Sequence, residues 1–459
     1  MNEPECANCV RLMKVVAALE KRVQDLEDRL GRNARNSSLP PSANPPGAPK
    51  PVVKKPTGRK PGGQPGHPFH SQYRFPPEQV KTTIQHIPDC CEKCACVFSK
   101  SHGEKDLEPR WHQVVELPPI VVEVTEHQAH GRRCPDCQHL TWGTIPSEVR
   151  RHRIGSRLGA VVSYLSGSPH VSKRGIEELL EGVFGVPISL GAVSKLEKEM
   201  SEALNTPHAE VLEAVRQAKS KNVDETGWKI HKAKAWMWSM ASNTHAAFTI
   251  HFKRDQKALK SLIGDRIEGV YGSDRWWAYT ILPVSQRQLC WAHLKRDFQK
   301  IVDRAGDGAW VGWKGLRYVA LIFEWWHYYK AGKCSRKKLK NSVYSIQRRM
   351  RRLLEAGIEC GEQKTARFCT NVLKFEAALW TFLDKKAVEP TNNHIERIIR
   401  SAVLWRKIGF GCHSLNGCRF VERILTVIKT LRLQSRNVLD YLHQALLAHR
   451  QALPAPSIA

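Results

Sequence analysis

The feature that most constrains this chain is a pair of acids placed at strand ends. Residues 219–224 lead into Asp224-Glu225-Thr226-Gly227-Trp228; Trp236, Met237, Trp238, Ser239 and Met240 then alternate, and a further strand occupies 248–252. Alternation with a period of two marks strands that bury one face, so this segment reads as a meander. A helix over 256–263 precedes a strand over 269–272, which delivers Ser273 and Asp274. The pattern is α/β, with two carboxylates brought to one edge of a sheet. Glu225 follows Asp224 on the same strand and points the opposite way, so it is expected to support the site without being a ligand.

The 459 residues carry 72 Lys and Arg against 44 Asp and Glu, a net charge of +28, and 41% are hydrophobic. At about 100–200 residues per domain, the length suggests two to four domains, and disorder throughout is excluded. No apolar run approaches the roughly 18 residues of a membrane span. The chain begins with Glu3 and Glu5, where a secretion signal would be basic and then apolar. The expectation is a soluble, cytoplasmic, nucleoid-associated bacterial protein with no membrane partner. So large a positive excess favours nucleic acid over an anionic membrane surface.

Leu12, Val16, Leu19, Val23, Leu26 and Leu30 recur at alternating spacings of four and three within residues 1–31. This is a heptad seam for a short coiled coil and hence a homo-oligomer; the other reading is one helix docked on the protein's own core. Residues 32–75 hold ten prolines among Lys50, Lys54, Lys55, Arg59 and Lys60 with no acid, the composition of an extended basic linker. Residues 76–146 read as short strands, including apolar positions from Val114 to Val124, around two CxxC pairs. Cys91, Cys94, Cys134 and Cys137 are expected to supply four thiolates to one structural Zn2+, which would replace a core this segment is too small to build. Cys90 and Cys96 leave the register of the first pair open, and Cys6 and Cys9 form a third pair. Within 150–205, Ser172 can cap a helix that Gly185 ends, and Ser189 can cap the next. The pair resembles a helix-turn-helix with Ser189, Ala192, Ser194 and Lys195 outward, or is an ordinary helical hairpin.

The runs Val223-Asp224-Glu225-Thr226-Gly227-Trp228, Ser273-Asp274-Arg275, Gln288-Leu289-Cys290-Trp291-Ala292-His293-Leu294-Lys295-Arg296-Asp297 and Thr391-Asn392-Asn393-His394-Ile395-Glu396-Arg397 resemble the transposases of the IS66 insertion-sequence family. So do Leu39-Pro40-Pro41-Ser42, Lys60-Pro61-Gly62-Gly63-Gln64-Pro65-Gly66-His67 and Arg419-Phe420-Val421-Glu422-Arg423, and the likeness spans nearly the whole chain. Trp276, Trp277 and His394 depart from the family pattern without touching an acidic position. The resemblance implies an RNase-H-like catalytic domain over 215–410 and an acid triad of Asp224, Asp274 and Glu396. Three carboxylates suit two Mg2+ or Mn2+ ions per active site, which neutralise the leaving oxygen and activate the attacking one.

Residues from about 290 to 390 read as a helical insertion in that domain, and 411–459 as a C-terminal helical region. From Lys330 to Arg352 there are ten Lys or Arg and no acid. Lys337, Lys338, Arg348, Arg349, Arg351 and Arg352 are candidate DNA-backbone contacts, against the alternative of a solvated face. Cys290 and His293 form a CxxH pair, read as structural with metal ligation as the other reading. Glu396 belongs on a helix capped by Thr391 or Asn392. Arg397 follows it, and Arg400, four residues on, shares its face to hold a phosphate or to pair with Glu396.

The function expected is cleavage of the mobile element's ends and joining of the 3′-hydroxyls to target DNA. Its partners are the terminal inverted repeats, target DNA, a second copy of the chain and accessory proteins encoded by the same element. The alternatives are a non-catalytic zinc-dependent DNA-binding regulator and a junction-cutting nuclease without strand transfer.

Overall fold

The computed structural model describes residues 74–98 and 108–458, together with Val16, Leu19 and Val23. Those three are helical and half exposed. The rest of the heptad seam, the Cys6 and Cys9 pair, the linker up to residue 73 and the motifs at 39–42 and 60–67 lie outside the described residues. The described residues divide into two compact units: those from position 74 up to Val121 form one, and those from Val122 onward, with Val16, Leu19 and Val23, belong to the other.

In the first unit the Gln113 carboxamide accepts from the Phe75 N–H at 2.8 Å and donates to the Phe75 carbonyl at 3.1 Å. The Arg74 guanidinium lies over the Trp111 ring, 5.0 Å from its centroid. Val114, Val115, Leu117 and Val121, read from the sequence as strand, form no ladder among the described residues and remain exposed, as does Val124 in the second unit. Pro118 and Pro119 remove two ladder donors. Strand propensity is realised only where a neighbouring strand offers a surface to pack on.

The second unit is mixed α/β. It opens with an antiparallel hairpin, β1 (Gly131–Arg133) and β2 (Leu140–Trp142). Helices α1 (Ser147–Arg151), α2 (Ser156–Gly167), α3 (Lys173–Phe184) and α4 (Leu190–Ala203) follow. Ser172 caps α3 by accepting from the Gly175 N–H, Gly185 ends it in the left-handed conformation, and Ser189 caps α4 by accepting from the Ala192 N–H. Val162, Ile176, Leu180, Ile188, Val193 and Leu196 form the core between them.

After α5 (Asn205–Gln217) the chain builds a five-stranded sheet from β3 (Ser220–Ile230), β4 (Ala233–Ala241), β5 (Ala246–His251), β6 (Val270–Ser273) and β7 (Arg287–Leu289), with α6 (Gln256–Ile263) between β5 and β6. The strand order is β5-β4-β3-β6-β7, antiparallel through the meander and parallel from β3 to β7. Helices α7 (Trp291–Asp303), α8 (Ala309–Lys330), α9 (Arg336–Ile358), α10 (Gln363–Leu373) and α11 (Thr381–Asp384) enclose a further core around Trp291, Phe298, Ile322, Val343 and Leu354, which takes in Val270 of β6 and Leu289 of β7. The chain returns through α12 (Asn393–Gly409), α13 (Leu415–Leu433) and α14 (Val438–Arg450).

Alternation along the strands sorts side chains between two cores. Val223, Trp238, Met240 and Ala247 join Leu259 and Leu262 of α6, Ile428 of α13 and Leu442 of α14 on one side. Trp228, Ile230, Met237 and Phe248 join Ile395, Ile399 and Ala402 of α12 and Leu425 of α13 on the other. No helix among the described residues is long and apolar enough to cross a membrane.

The edge strand β5 is closed by side chains. The N–H groups of Ala246, Phe248 and Ile250 donate to Thr430 Oγ1 at 3.1 Å, Thr426 Oγ1 at 3.0 Å and Glu422 Oε1 at 2.5 Å. Four helical residues rise about 6 Å and two strand residues about 6.6 Å, so acceptors at a spacing of four meet donors at a spacing of two. From the other side, His208 Nε2 lies 3.1 Å from the Phe248 carbonyl. Burial pushes the Glu422 carboxyl above its ordinary value. A raised acid binds its proton more readily folded than unfolded, so its contribution to stability falls as pH rises from the ordinary carboxylate value through the raised one. Thr426→Val should cost about 1–2 kcal/mol by leaving the Phe248 N–H unpaired. The check is a denaturation midpoint that falls at unchanged slope. Glu422→Gln, which keeps the oxygen, should flatten the decline with pH.

Candidate active site

The parallel pairing of β3 with β6 sets the geometry. The ladder ends where Asn222 stands opposite Gly272, two residues short of Asp224 and of Asp274, and Asp274 and Glu396 lie close enough for their charges to act on the Asp224 carboxyl. A Cβ on Gly272 would run into the Asn222 carboxamide, so glycine is required for this close approach. Asp224 lies on the same face of β3 as Trp228 and Ile230, the face that α12 covers, and Glu396 occupies the first turn of α12. All three acids are half-buried. Asp224 Oδ1 accepts from the Glu225 N–H at 2.9 Å, and Asp274 Oδ1 from the Trp276 N–H at 2.8 Å. Neither carboxyl has a cationic side-chain partner among the described residues. Burial drives the Asp224 carboxyl well above the carboxylate range, and the charges of Glu225, Asp274 and Glu396 push it further.

Glu396 faces two groups of α7, with His293 Nδ1 and Arg296 Nη2 each 3.7 Å from its Oε1. Arg400 does not pair with it, and Arg397 and Arg400 are exposed without an acidic partner among the described residues. Burial pulls the His293 imidazole below its ordinary value, and Arg296 adds to this. The Cys290 thiol accepts the Asn392 N–H at 3.4 Å and is pushed up to about 11 by burial, so it is a neutral group that fastens the start of α12. Asn392 holds the cap position, but its side chain makes no cap bond. It is fully buried, and both amide atoms lack partners among the described residues. The sequence points to Asn392 only as a cap.

A second layer sits behind the acids. Glu225, on the opposite face of β3, is 2% exposed in its side chain and bound by Arg254 and by the Tyr279 hydroxyl. Arg287 donates to Ser273 Oγ at 3.1 Å and to the Asp274 carbonyl at 2.8 Å, which fixes the turn that carries Asp274. Asp297 is taken up by Arg275 at 2.6 Å and Lys300 at 3.1 Å.

Elsewhere, the two CxxC pairs have matching backbones. Cys91 N–H bonds the Cys96 carbonyl and Ala95 N–H the Cys91 carbonyl, as Cys134 N–H bonds the His139 carbonyl and Gln138 N–H the Cys134 carbonyl. Ala95 and Gln138 both adopt positive φ, 56° and 60°. The Cys91 and Cys134 thiols are lowered by backbone N–H groups, first those of Cys94 and Cys137. The two pairs belong to different units. Among the described residues no three His, Cys, Asp or Glu side chains are gathered closely enough to hold a metal ion.

On α9, Leu339, Val343, Ile346, Met350, Leu353 and Leu354 face the core, while Lys337, Lys338, Arg348, Arg349 and Arg352 are exposed and unpaired among the described residues. Arg351 departs from the expected DNA-facing set: Glu355 at 3.1 Å and Glu376 at 3.6 Å engage it. Ser189, Ser194 and Lys195 are exposed and Ala192 is half-buried. Lys173 bonds Ser194 Oγ at 2.7 Å and Glu197 at 2.9 Å across the helix pair.

The arrangement is mixed α/β, with Asp274 just past the end of β6 as expected but Asp224 inside β3, not at its end, because the antiparallel pairing with β4 carries that strand on to Ile230. Residues 151–419, more than half of the chain, match the family described as transposase IS66 family, and the chain belongs to that family. Residues 5–73 match a family of unknown function. Among curated proteins, the uncharacterized protein y4qI of Sinorhizobium fredii is 24% identical over 278 residues, covering 54% of this chain and 51% of the relative. The chain thus spans about half the length of that relative.

The Cys290 environment yields a direct expectation. At pH 8, alkylation of Cys290 in the native protein should run at least about tenfold slower than that of Cys334, which is half-exposed and outside the CxxC pairs, because Cys290 is enclosed and thiolate is the reacting form. Peptide mass spectrometry over a time course would measure both rates, and equal rates would mean that Cys290 is not enclosed.

Proposed function

We propose that the protein cleaves the ends of its own mobile element and joins the freed 3′-hydroxyls to target DNA, with Asp224, Asp274 and Glu396 as the catalytic acids of an RNase-H-like domain. The observation that supports this reading is the parallel β3–β6 pairing, which leads toward Asp224 and Asp274, together with the action of the Asp274 and Glu396 charges on the Asp224 carboxyl. The strand order β5-β4-β3-β6-β7 and the helical layers on both faces support the RNase-H-like assignment over 215–410. The oxygens of Asp224 and Asp274 carry one backbone N–H each, and repulsion among the acids favours a cation between them. That donor set suits Mg2+ or Mn2+, which would supply charge neutralisation and activation of the attacking oxygen.

The chain's own residues do the rest. Glu396 is held by the first turn of α12, where the helix dipole favours a carboxylate, and by His293 and Arg296. Arg400, one turn further and unpaired, is placed to take a phosphate, with Arg397 beside it. Lys337, Lys338, Arg348, Arg349 and Arg352 extend a basic surface for the DNA backbone. The helices over 150–205 supply a second DNA contact, and the N-terminal seam brings a second copy, so that two element ends are held together. Zn2+ bound through thiolates of the CxxC pairs belongs to the same proposal. Its support is that each pair by itself presents thiols cradled by N–H groups, the environment that favours thiolate ligands.

In a supercoiled-plasmid assay with element ends and Mg2+, Asp224→Asn, Asp274→Asn and Glu396→Gln should each lower cleavage by at least about a hundredfold. DNA affinity should stay nearly unchanged. Normal cleavage by Glu396→Gln would remove Glu396 from the site. Replacing Lys337, Arg348 and Arg352 together by Ala should leave the acids intact and reduce the slope of log affinity against log salt by about three. Metal analysis of the purified chain should return about one zinc per chain, released together with thiol exposure by a chelator. Metal-free protein with reduced cysteines and unchanged folding would rule zinc out.

A further inference from the structure

The turn that carries Asp274 presents an aromatic face that the acid chemistry does not use. Trp277 is 49% exposed, while Ala278 and Tyr279, which follow it in the single 3-10 turn Trp277–Ile281, are fully buried. The backbone that carries the exposed indole is therefore held by the fold. Tyr279 is anchored on Glu225, Thr280 Oγ1 donates to the Trp277 carbonyl at 2.7 Å, and Gln256 donates to Thr280 Oγ1 at 3.1 Å. On the other side of Trp277, the Trp276 N–H bonds Asp274 Oδ1, and the Arg254 guanidinium covers the Trp276 ring at 3.9 Å. Trp276 is thus occupied and Trp277 is not; the two ring centroids are 6.4 Å apart.

Three residues span at most about 11 Å, so the Trp277 backbone cannot stand further than that from Asp274. A phosphate held at Asp274 has its neighbouring nucleotide within that radius. Stacked inside a duplex, that nucleotide's base has no free face, whereas an unpaired base offers one that any indole can cover regardless of sequence. We propose that Trp277 is a stacking platform for an unpaired nucleobase next to the phosphate being cleaved or joined. It would hold the DNA strand in line with the acids once the base has left the helix. The inference rests on the active-site reading above and adds to it a binding site for single-stranded DNA bases.

The test uses the full-length chain and two 20-nucleotide single strands with the same phosphate backbone, one of thymidines and one wholly abasic. The basic surface contributes equally to both, so the ratio of affinities isolates base stacking. The wild type should prefer the thymidine strand, and W277A should lower that preference by about tenfold to a hundredfold, with W277F retaining most of it. W313A, which removes another exposed indole on α8, should leave the ratio unchanged. An unchanged ratio in W277A, or an equal loss in W313A, overturns the proposal. D274N separates this site from the acids. Loss of cleavage with the stacking preference intact supports both readings, normal cleavage defeats the acid assignment alone, and loss of the preference in D274N shows that stacking does not belong to Trp277 itself.

Discussion

Everything at the candidate site depends on one parallel pairing. The β3–β6 ladder joins only three residue pairs and ends at Asn222 and Gly272, yet its register sets how the chain runs on to Asp224 and Asp274, two residues further along each strand. A slip of one residue would turn one of the two to the opposite face. The carboxylates repel each other, and the desolvation of Asp224 adds to the cost, so the register must be held by something else. Three contacts do so. The Asn222 side chain lies over Gly272, Arg287 grips Ser273 and Asp274 from β7, and the Arg254–Glu225–Tyr279 cluster secures the reverse face of β3.

The same economy governs the far edge of the sheet. An exposed antiparallel edge is a pairing hazard, and here α13 answers each outward N–H of β5 with an acceptor at helical spacing. Glu422 of the Arg419–Arg423 run is one of those acceptors, and Arg423 reaches the Ser201 carbonyl at 2.7 Å. This C-terminal motif therefore works on the scaffold, not at the acids.

Much of this was legible in the residues because periodicity is a local signal. The meander, the helix at 256–263, the Ser172, Gly185 and Ser189 caps and the placing of Glu225 on the face opposite Asp224 all follow from spacing or turn chemistry. Strand β7 was not legible: Arg287 and Gln288 are polar yet buried, so a three-residue run gave no apolar pattern. The Val114–Val124 run gave the opposite error, since it has strand composition but no ladder among the described residues. Glu396 is separated from the strands by the helical insertion, and only the family resemblance pointed to it. The environment of Asn392 is a product of tertiary packing and has no signature in spacing alone.

The helices between β7 and α12 leave and rejoin the sheet at nearly one point. Trp291 N–H meets the Pro390 carbonyl at 2.9 Å, the Cys290 sulfur meets the Asn392 N–H, and Gln288 and Thr381 stitch β7 to the segment before α12. Because its two ends are fastened together and its core takes in Val270 of β6 and Leu289 of β7, the helical body is seated on that edge of the sheet. Its length can change at its far end without altering the sheet, since extending a closed loop adds little entropic cost. The fastening, however, is also the mount of Glu396, so a shift of the helical body against the sheet moves the one acid that no strand carries.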